Sequence, residues 1–410
     1  MNLSLERCGN DISPVLTDSH VTLFEATDRL GGRIYTHHIT PRADGEDPYF
    51  EAGAMRIPRT RVHRPTFDLI RYLNRLVPSH LRLELIPYIM AHKNNMDFVR
   101  GQKRKGDDEE YCGQSARDLL KPVIGPWITQ LTNSYIDGVH QALQFDELSF
   151  RQYLRQVTKW PHEVIDFVEM MTSQTNQYDF SFFEVILQYL DFGTKEWATI
   201  KGGMSRLIDV MALLVGSHNI HLNRRVSAVH VHANGKIGLS FNGAEIRVFD
   251  KVIMAVPLPA LQNISSRPRW SPVKEQAIRS PYYEPLYKMG LHFRNTSTTD
   301  LRIRWIIYLS HDLALHDLGV FFGANDEMVN IRKEFIQAFD MIWSSDSSTG
   351  GCMYLPGQFS RSAQEVGKPE GNIFFAGEHL SRRHAWLTGA IVSASAVVQQ
   401  VLLNRRTSRL

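Results

Sequence analysis

Short apolar runs that stop at glycine or acid alternate along this chain with longer stretches in which apolar residues recur every third or fourth place. Residues 21–25 (VTLFE) read as a β-rich run closing on an acid. Residues 373–376 (IFFA) are a second such run, stopping at Gly377-Glu378, and small and apolar residues at helical spacing then continue from Ala385 to about Leu402. The order there is strand, tight turn, helix. Residues 65–77 (PTFDLIRYLNRLV) predict an amphipathic helix, and 115–190 is rich in helical periodicity and aromatic rings. In ATIKGGMSRL a glycine pair leads into a helix at or near Ser205, after which 221–231, 236–241 and 245–256 alternate like the strands of a meander. YEPLYKMGLHF reads as a strand carrying one lysine, Lys288, among apolar residues, and 101–110 (GQKRKGDDEE) as a solvated loop of mixed charge.

Composition narrows the class without naming it. The 410 residues suffice for two or three domains, and 43% hydrophobic with 22% charged is ordinary globular composition. A net charge of +3 gives no electrostatic reason to expect a nucleic-acid partner. Cys8, Cys112 and Cys352 show no CxxC spacing, so a reducing compartment is expected, and the scattered histidines give no metal-ligand pattern. No run approaches a membrane span, and the amino terminus lacks the basic start and apolar core of a signal peptide.

The candidate chemistry lies in four places. A carboxylate at a strand's C-terminal end, as Glu25 is placed, can take both hydroxyls of a ribose. Six residues on, Gly31-Gly32 free the backbone for positive φ and close approach, and the Arg33 guanidinium matches a diphosphate bidentately. Arg56, after Gly53 and small residues, could clamp a carboxylate or pair with a nearby acid. Lys288, costly to bury without partners, fits either a functional ammonium or an edge-strand lysine that discourages aggregation. At the far end Gly377, a helix start with unpaired N–H groups and the flat wall of Trp386 suit an anion or a ring, though a plain βα unit carries the first two as well.

The pattern Glu25-Ala26-x-x-Arg29-x-Gly31-Gly32-Arg33, with Phe375 to Glu378 and Ala385-Trp386-x-x-Gly389-Ala390, resembles the flavin-containing amine oxidase family, which includes monoamine oxidases and L-amino-acid oxidases. The resemblance covers the chain from Val21 onward. It implies a mixed α/β fold: an FAD-binding Rossmann-like domain (1–60, 200–265, 365–405), a substrate-binding β-sheet domain (61–114, 266–364) and a helical cap (115–199). By the same resemblance FAD would be held by Glu25, Ala26, Gly31, Gly32, Arg33, Gly53, Ala54, Met55, Arg56, Val226, Gly377, Glu378, Trp386 and Leu387. The form Gly53 to Pro58 (GAMRIP) is similar to the L-amino-acid oxidases, and Pro356 to Ser360 with His384 to Trp386 resemble their fungal and bacterial branch. Arg56 would then anchor the substrate carboxylate, Ala385 and Trp386 would frame the amine, and Lys288 would be catalytic, holding a water at the flavin. The implied partners are an amino acid or amine and molecular oxygen, with a homodimer compatible and no metal.

Two departures from the family pattern stand out. Residues 1–20 hold no glycine-rich turn, Gly9 being the one glycine before Gly31, so the first strand and that turn are expected to be missing. In GVFFGAND (319–326) the tyrosine that commonly shares the carboxylate is replaced by Gly323, Ala324 or Asn325. The alternatives are therefore oxidation of another amine, or a remnant unable to hold FAD. Ser408-Arg409-Leu410 resembles the S-K-L peroxisomal address, and a cytoplasmic location is expected otherwise.

Overall fold

The computed structural model describes residues 20–39, 48–90, 97–99, 102–104, 110–172, 177–243, 245–293, 303–306, 335–345 and 348–407. The expectations placed on residues 1–19, on 319–326 and on 408–410 lie outside them.

In chain order the helices are α1 (Arg64–Leu76), α2 (Ala116–Asn133), α3 (Tyr135–Ala142), α4 (Phe150–Gln156), α5 (His162–Thr172), α6 (Phe182–Phe192), α7 (Ser205–Val215), α8 (Leu258–Gln262), α9 (Pro272–Arg279), α10 (Gln358–Val366) and α11 (Leu387–Thr407). Helix α1 follows directly from its sequence. Pro65 sits in the first turn, where its missing N–H costs nothing, and the chain leaves the helix at an extended Val77 before Pro78. Phe67, Ile70 and Leu73 form its buried stripe, each side chain contributing about 1.5–3 kcal/mol by leaving water. The described residues of 115–190 are mostly helical, α2 to α6 with short connections, around Phe150, Phe182, Phe183 and Tyr178, with Cys352, Tyr354 and Phe359 closing the cluster from the opposite end of the chain.

The strands form several small sheets rather than one. Leu23–Phe24 pairs in parallel with Ile220–His221, and Val252–Met254 in parallel with Ile373–Phe375. Val226–Val231, Ile237–Phe241 and Glu245–Phe249 form an antiparallel meander. Trp197–Ile200 lies between Ile57–Pro58 and Leu85–Pro87, and Thr36–His38 pairs with Tyr49–Glu51. Tyr287–Phe293 runs between Ile303–Ile306 and Phe335–Ile342.

Four expectations need correction. The run 245–256 is two strands in different sheets, parted at Asp250-Lys251, because its second half pairs with Ile373–Phe375. The run 221–231 is interrupted by Asn223, whose φ of 54° no strand accommodates. The stretch expected to be one charged loop contributes Gln102–Arg104 to a hairpin with Asp97–Val99. The last helix begins at Leu387 rather than Ala385, since Ala385 has a φ of 58° and cannot belong to a right-handed helix.

Candidate active site

Lys288 occupies the central strand of its sheet, so the edge-strand reading does not hold. It is buried, and Nζ donates to the carbonyl oxygen of Gly53 at 2.5 Å. Burial first, and the neighbouring charge of Arg56 second, pull its pKa down to about 8, against the opposing pull of Glu51. Glu51 is itself buried, and burial raises its pKa although it accepts from Met204 N–H at 2.7 Å and Thr36 Oγ1 at 2.8 Å. The segment leaving the Tyr49–Glu51 strand is pinned by side chains from far along the chain, since Trp343 Nε1 also donates to Ala52 O at 2.8 Å. Gly53 is required here: a Cβ would lie 2.1 Å from the carbonyl oxygen of Arg33.

Arg56 lies beside this lysine inside a box of rings. Its guanidinium carbon is 5.2 Å from the Phe192 ring centroid, 5.5 Å from Trp197 and 5.9 Å from Tyr88. Among the described residues no carboxylate forms an ion pair with it, and its one side-chain hydrogen bond is a weak one to Met55 Sδ at 3.9 Å. Trp386 extends the same wall, 5.7 Å from Phe192, 6.1 Å from Trp197 and 4.9 Å from the ring of His63. An unpaired guanidinium between apolar rings suits a planar anion whose remainder is apolar.

Arg33 and Glu378, singled out separately at opposite ends of the chain, are each other's partner at 2.7 Å. Arg33 uses only Nη1 for this bond and for one to Gly350 O at 2.8 Å, so Nε and Nη2 have no partner among the described residues. Glu378 is buried; burial alone would raise its pKa, but Arg33, the nearby histidines and the Ala385 N–H at 2.8 Å hold it below the usual carboxylate range. His379, buried next to it, is driven down to about 4 by that burial and so stays neutral near pH 7. His384 goes the other way. Burial opposes its proton, yet Glu184, bonded to Nδ1 at 2.7 Å, keeps its pKa raised.

The remaining residues form a second, looser group. Glu25 ends its strand half-buried, with Oε1 accepting from Thr27 N–H and Oγ1, both at 2.8 Å, while Oε2 has no described partner. Its backbone carbonyl takes the Arg224 N–H at 2.8 Å, two residues before Val226, which opens the meander. Ala26 is exposed beside it. In the turn that follows, Gly32 has a φ of 54° and open space where a Cβ would be, so its backbone is approachable. Leu387 packs its half-buried side chain against the apolar cluster of Ile34, Ile57 and Met204.

These features fit a flavin dinucleotide. The free Oε2 of Glu25 suits a ribose hydroxyl, the bare backbone at Gly32 and the two unused guanidinium nitrogens of Arg33 suit a diphosphate, and the Gly53 and Lys288 region offers a wall and a polar edge. Phe192, Trp197 and Tyr88 were not anticipated, since aromatic residues at helical and strand spacing look like core. His63, Asp191 and Glu184 carried no motif. His384 and Glu51 lie just before the motifs that begin at Ala385 and Gly53 and had no assigned role. No group of three or more His, Cys, Asp or Glu among the described residues could hold a metal ion, and no described helix is long and apolar enough to cross a membrane.

Comparison with known proteins follows the same lines. The family model for flavin-containing amine oxidoreductases matches residues 18–311. An L-amino-acid oxidase of Vipera ammodytes ammodytes is 27% identical across 93% of this chain and 87% of its own length. A Dictyostelium discoideum protein described as a bifunctional amine oxidase is 26% identical across 92% of this chain, which spans only 43% of that longer protein. A solved putrescine oxidase with putrescine bound superposes with a TM-score of 0.69 at 16% identity, covering 93% of both chains, and shares the fold.

Proposed function

The chain belongs to the flavin-containing amine oxidoreductases, and on that footing we propose that it uses FAD to oxidise a neutral L-amino acid. The products would be the 2-oxo acid, ammonia and hydrogen peroxide. The observation that carries this reading is Arg56: a guanidinium without a described acid partner, inside a box of rings and beside Lys288. A substrate carboxylate would pair with Arg56, and the rings of Phe192, Trp197 and Trp386 would exclude water from an apolar side chain. Lys288, with a pKa near 8, can hold or pass a proton at Nζ close to neutral pH. When bound, FAD supplies the acceptor for the two electrons lost from the α-carbon, which oxygen then carries off as peroxide. Water converts the resulting imino acid to the oxo acid.

A second reading is oxidation of an amine without a carboxylate, favoured by the likeness to putrescine oxidase. Peroxide release from FAD-loaded protein separates the two. Turnover of L-amino acids supports the first reading, and turnover of diamines or monoamines alone supports the second. Arg56→Ala should raise KM for amino acids by a factor equivalent to about 2–4 kcal/mol with flavin content unchanged. Lost flavin with an unchanged KM in the residual holoenzyme would make Arg56 a cofactor support and sink the assignment.

A further inference from the structure

Helix α6 carries two acids, Glu184 and Asp191, seven residues apart and both buried. At 3.6 residues per turn they share one face, roughly 10 Å apart along the axis. Each holds a buried histidine. Glu184 Oε2 lies 2.7 Å from His384 Nδ1, and Asp191 Oδ1 lies 2.9 Å from His63 Nε2. The second link continues, because His63 Nδ1 is 3.2 Å from Thr388 Oγ1, which is 2.6 Å from Thr66 Oγ1. Residues 384 and 388 are thus tied to the same helix face, one directly and one through His63. Between those anchors lie Ala385, with its φ of 58°, and Trp386. Gln188, between the two acids on α6, donates to Met353 Sδ at 3.4 Å, so the whole face is engaged.

Buried acid–histidine pairs are a poor way to gain stability, since apolar contacts of equal size do as well or better. What they add is direction. A left-handed alanine costs roughly 1–2 kcal/mol and persists only where its surroundings over-determine it. Phe192, next to Asp191, faces both Trp386 and Arg56, so the helix that anchors the loop also supplies the opposite wall. We infer that Glu184 and Asp191 are positioning residues: through His384 and through His63 and Thr388, α6 sets the placement of Trp386 relative to Arg56, and thereby the alignment of the substrate for oxidation. The part concerning turnover rests on the function proposed above.

The test uses the FAD-loaded full chain with Asp191→Asn, Glu184→Gln, and the milder Thr388→Val, which removes one hydroxyl link and keeps the shape. Bound flavin, near-ultraviolet and visible circular dichroism, and kcat and KM per bound flavin are measured for each. Because misplacement of about 1 Å can cost up to about 100-fold, Asp191→Asn is expected to lower kcat per bound flavin by about 10-fold or more, with KM changed less than about 3-fold and the tryptophan and flavin dichroism altered. Thr388→Val should do the same by about 3-fold. Lower melting temperature and flavin content with unaltered kcat per bound flavin and unaltered dichroism would overturn the inference, leaving the acids merely structural. If Asp191→Asn and Glu184→Gln do not fold, Thr388→Val decides by the same criteria. Should the unmodified enzyme oxidise neither amino acids nor amines, the proposed function fails, and the positioning role is then judged on the dichroism alone, where spectra identical to the parent overturn it.

Discussion

At Glu25 the candidate cofactor surface rests on a two-residue strand and on bonds to Thr27, two positions away. At Gly53 the equivalent surface is pinned by Lys288 and Trp343, and Arg33 nearby reaches a partner 345 residues distant. In the first region the backbone pairs with residues 220–224, but the Glu25 carboxylate is oriented by local hydrogen bonds alone, whose closure costs little chain entropy, and it leaves acceptor capacity unused. In the second the side chains themselves make contacts that exist only when the chain is folded, Lys288 and Trp343 to backbone carbonyls and Arg33 to Glu378. Damage at the ribose end should therefore be read in FAD affinity, and damage at the flavin end in the stability of the chain itself.

The sharpest way to break this contrast is Arg33→Ala, which strands the Glu378 carboxylate in the interior. Because Arg33 is about one-third exposed, the loss should lie toward the lower end for a broken buried pair, about 3 kcal/mol in urea unfolding of the FAD-free chain. A loss below about 1 kcal/mol would show that the pair is not structural. Next comes Glu25→Ala, which should weaken FAD by about 1–2 kcal/mol, close to tenfold in Kd by titration, with the FAD-free stability unmoved within error. A matching fall in stability would erase the distinction between the regions. The smallest effect concerns pH. The raised pKa of His384 means that its pair with Glu184 contributes stability fully below the ordinary imidazole value of 6.5 and loses it as pH rises through the raised value. The melting-temperature gap between the parent and His384→Gln should accordingly narrow on going from acid to alkaline pH, and a gap that widens would contradict the charge assignment.

How far each region could be read in advance follows the same division. Glu25, Gly31, Gly32 and Arg33 lie within nine residues, so their spacing was visible in the sequence, as was α1 from its proline and apolar stripe. The pairing of Arg33 with Glu378, or of Lys288 with Gly53, has no local signature, although each residue drew notice by itself. The aromatic box was hidden because Phe192, Trp197 and Tyr88 come from a helix end, a strand and the residue just after another strand, and a ring in such places usually means core. The split of 245–256 was invisible for a related reason: alternation reports a strand but not its partner. Ala385 gave no warning because alanine is the strongest helix former and only glycine, asparagine and aspartate visit the left-handed region routinely.

Arg56 and a protonated Lys288 stand close together, with Glu51 the buried carboxylate that acts on the same ammonium. Near neutral pH this corner of the molecule therefore carries an excess of positive charge in a poorly solvated setting. Such a corner attracts small inorganic anions as readily as it attracts a carboxylate, and encounter with a charged substrate slows as ionic strength rises. Phosphate or sulfate in an assay would act as a competitor rather than a bystander, and a neutral amine would be indifferent to the same salts.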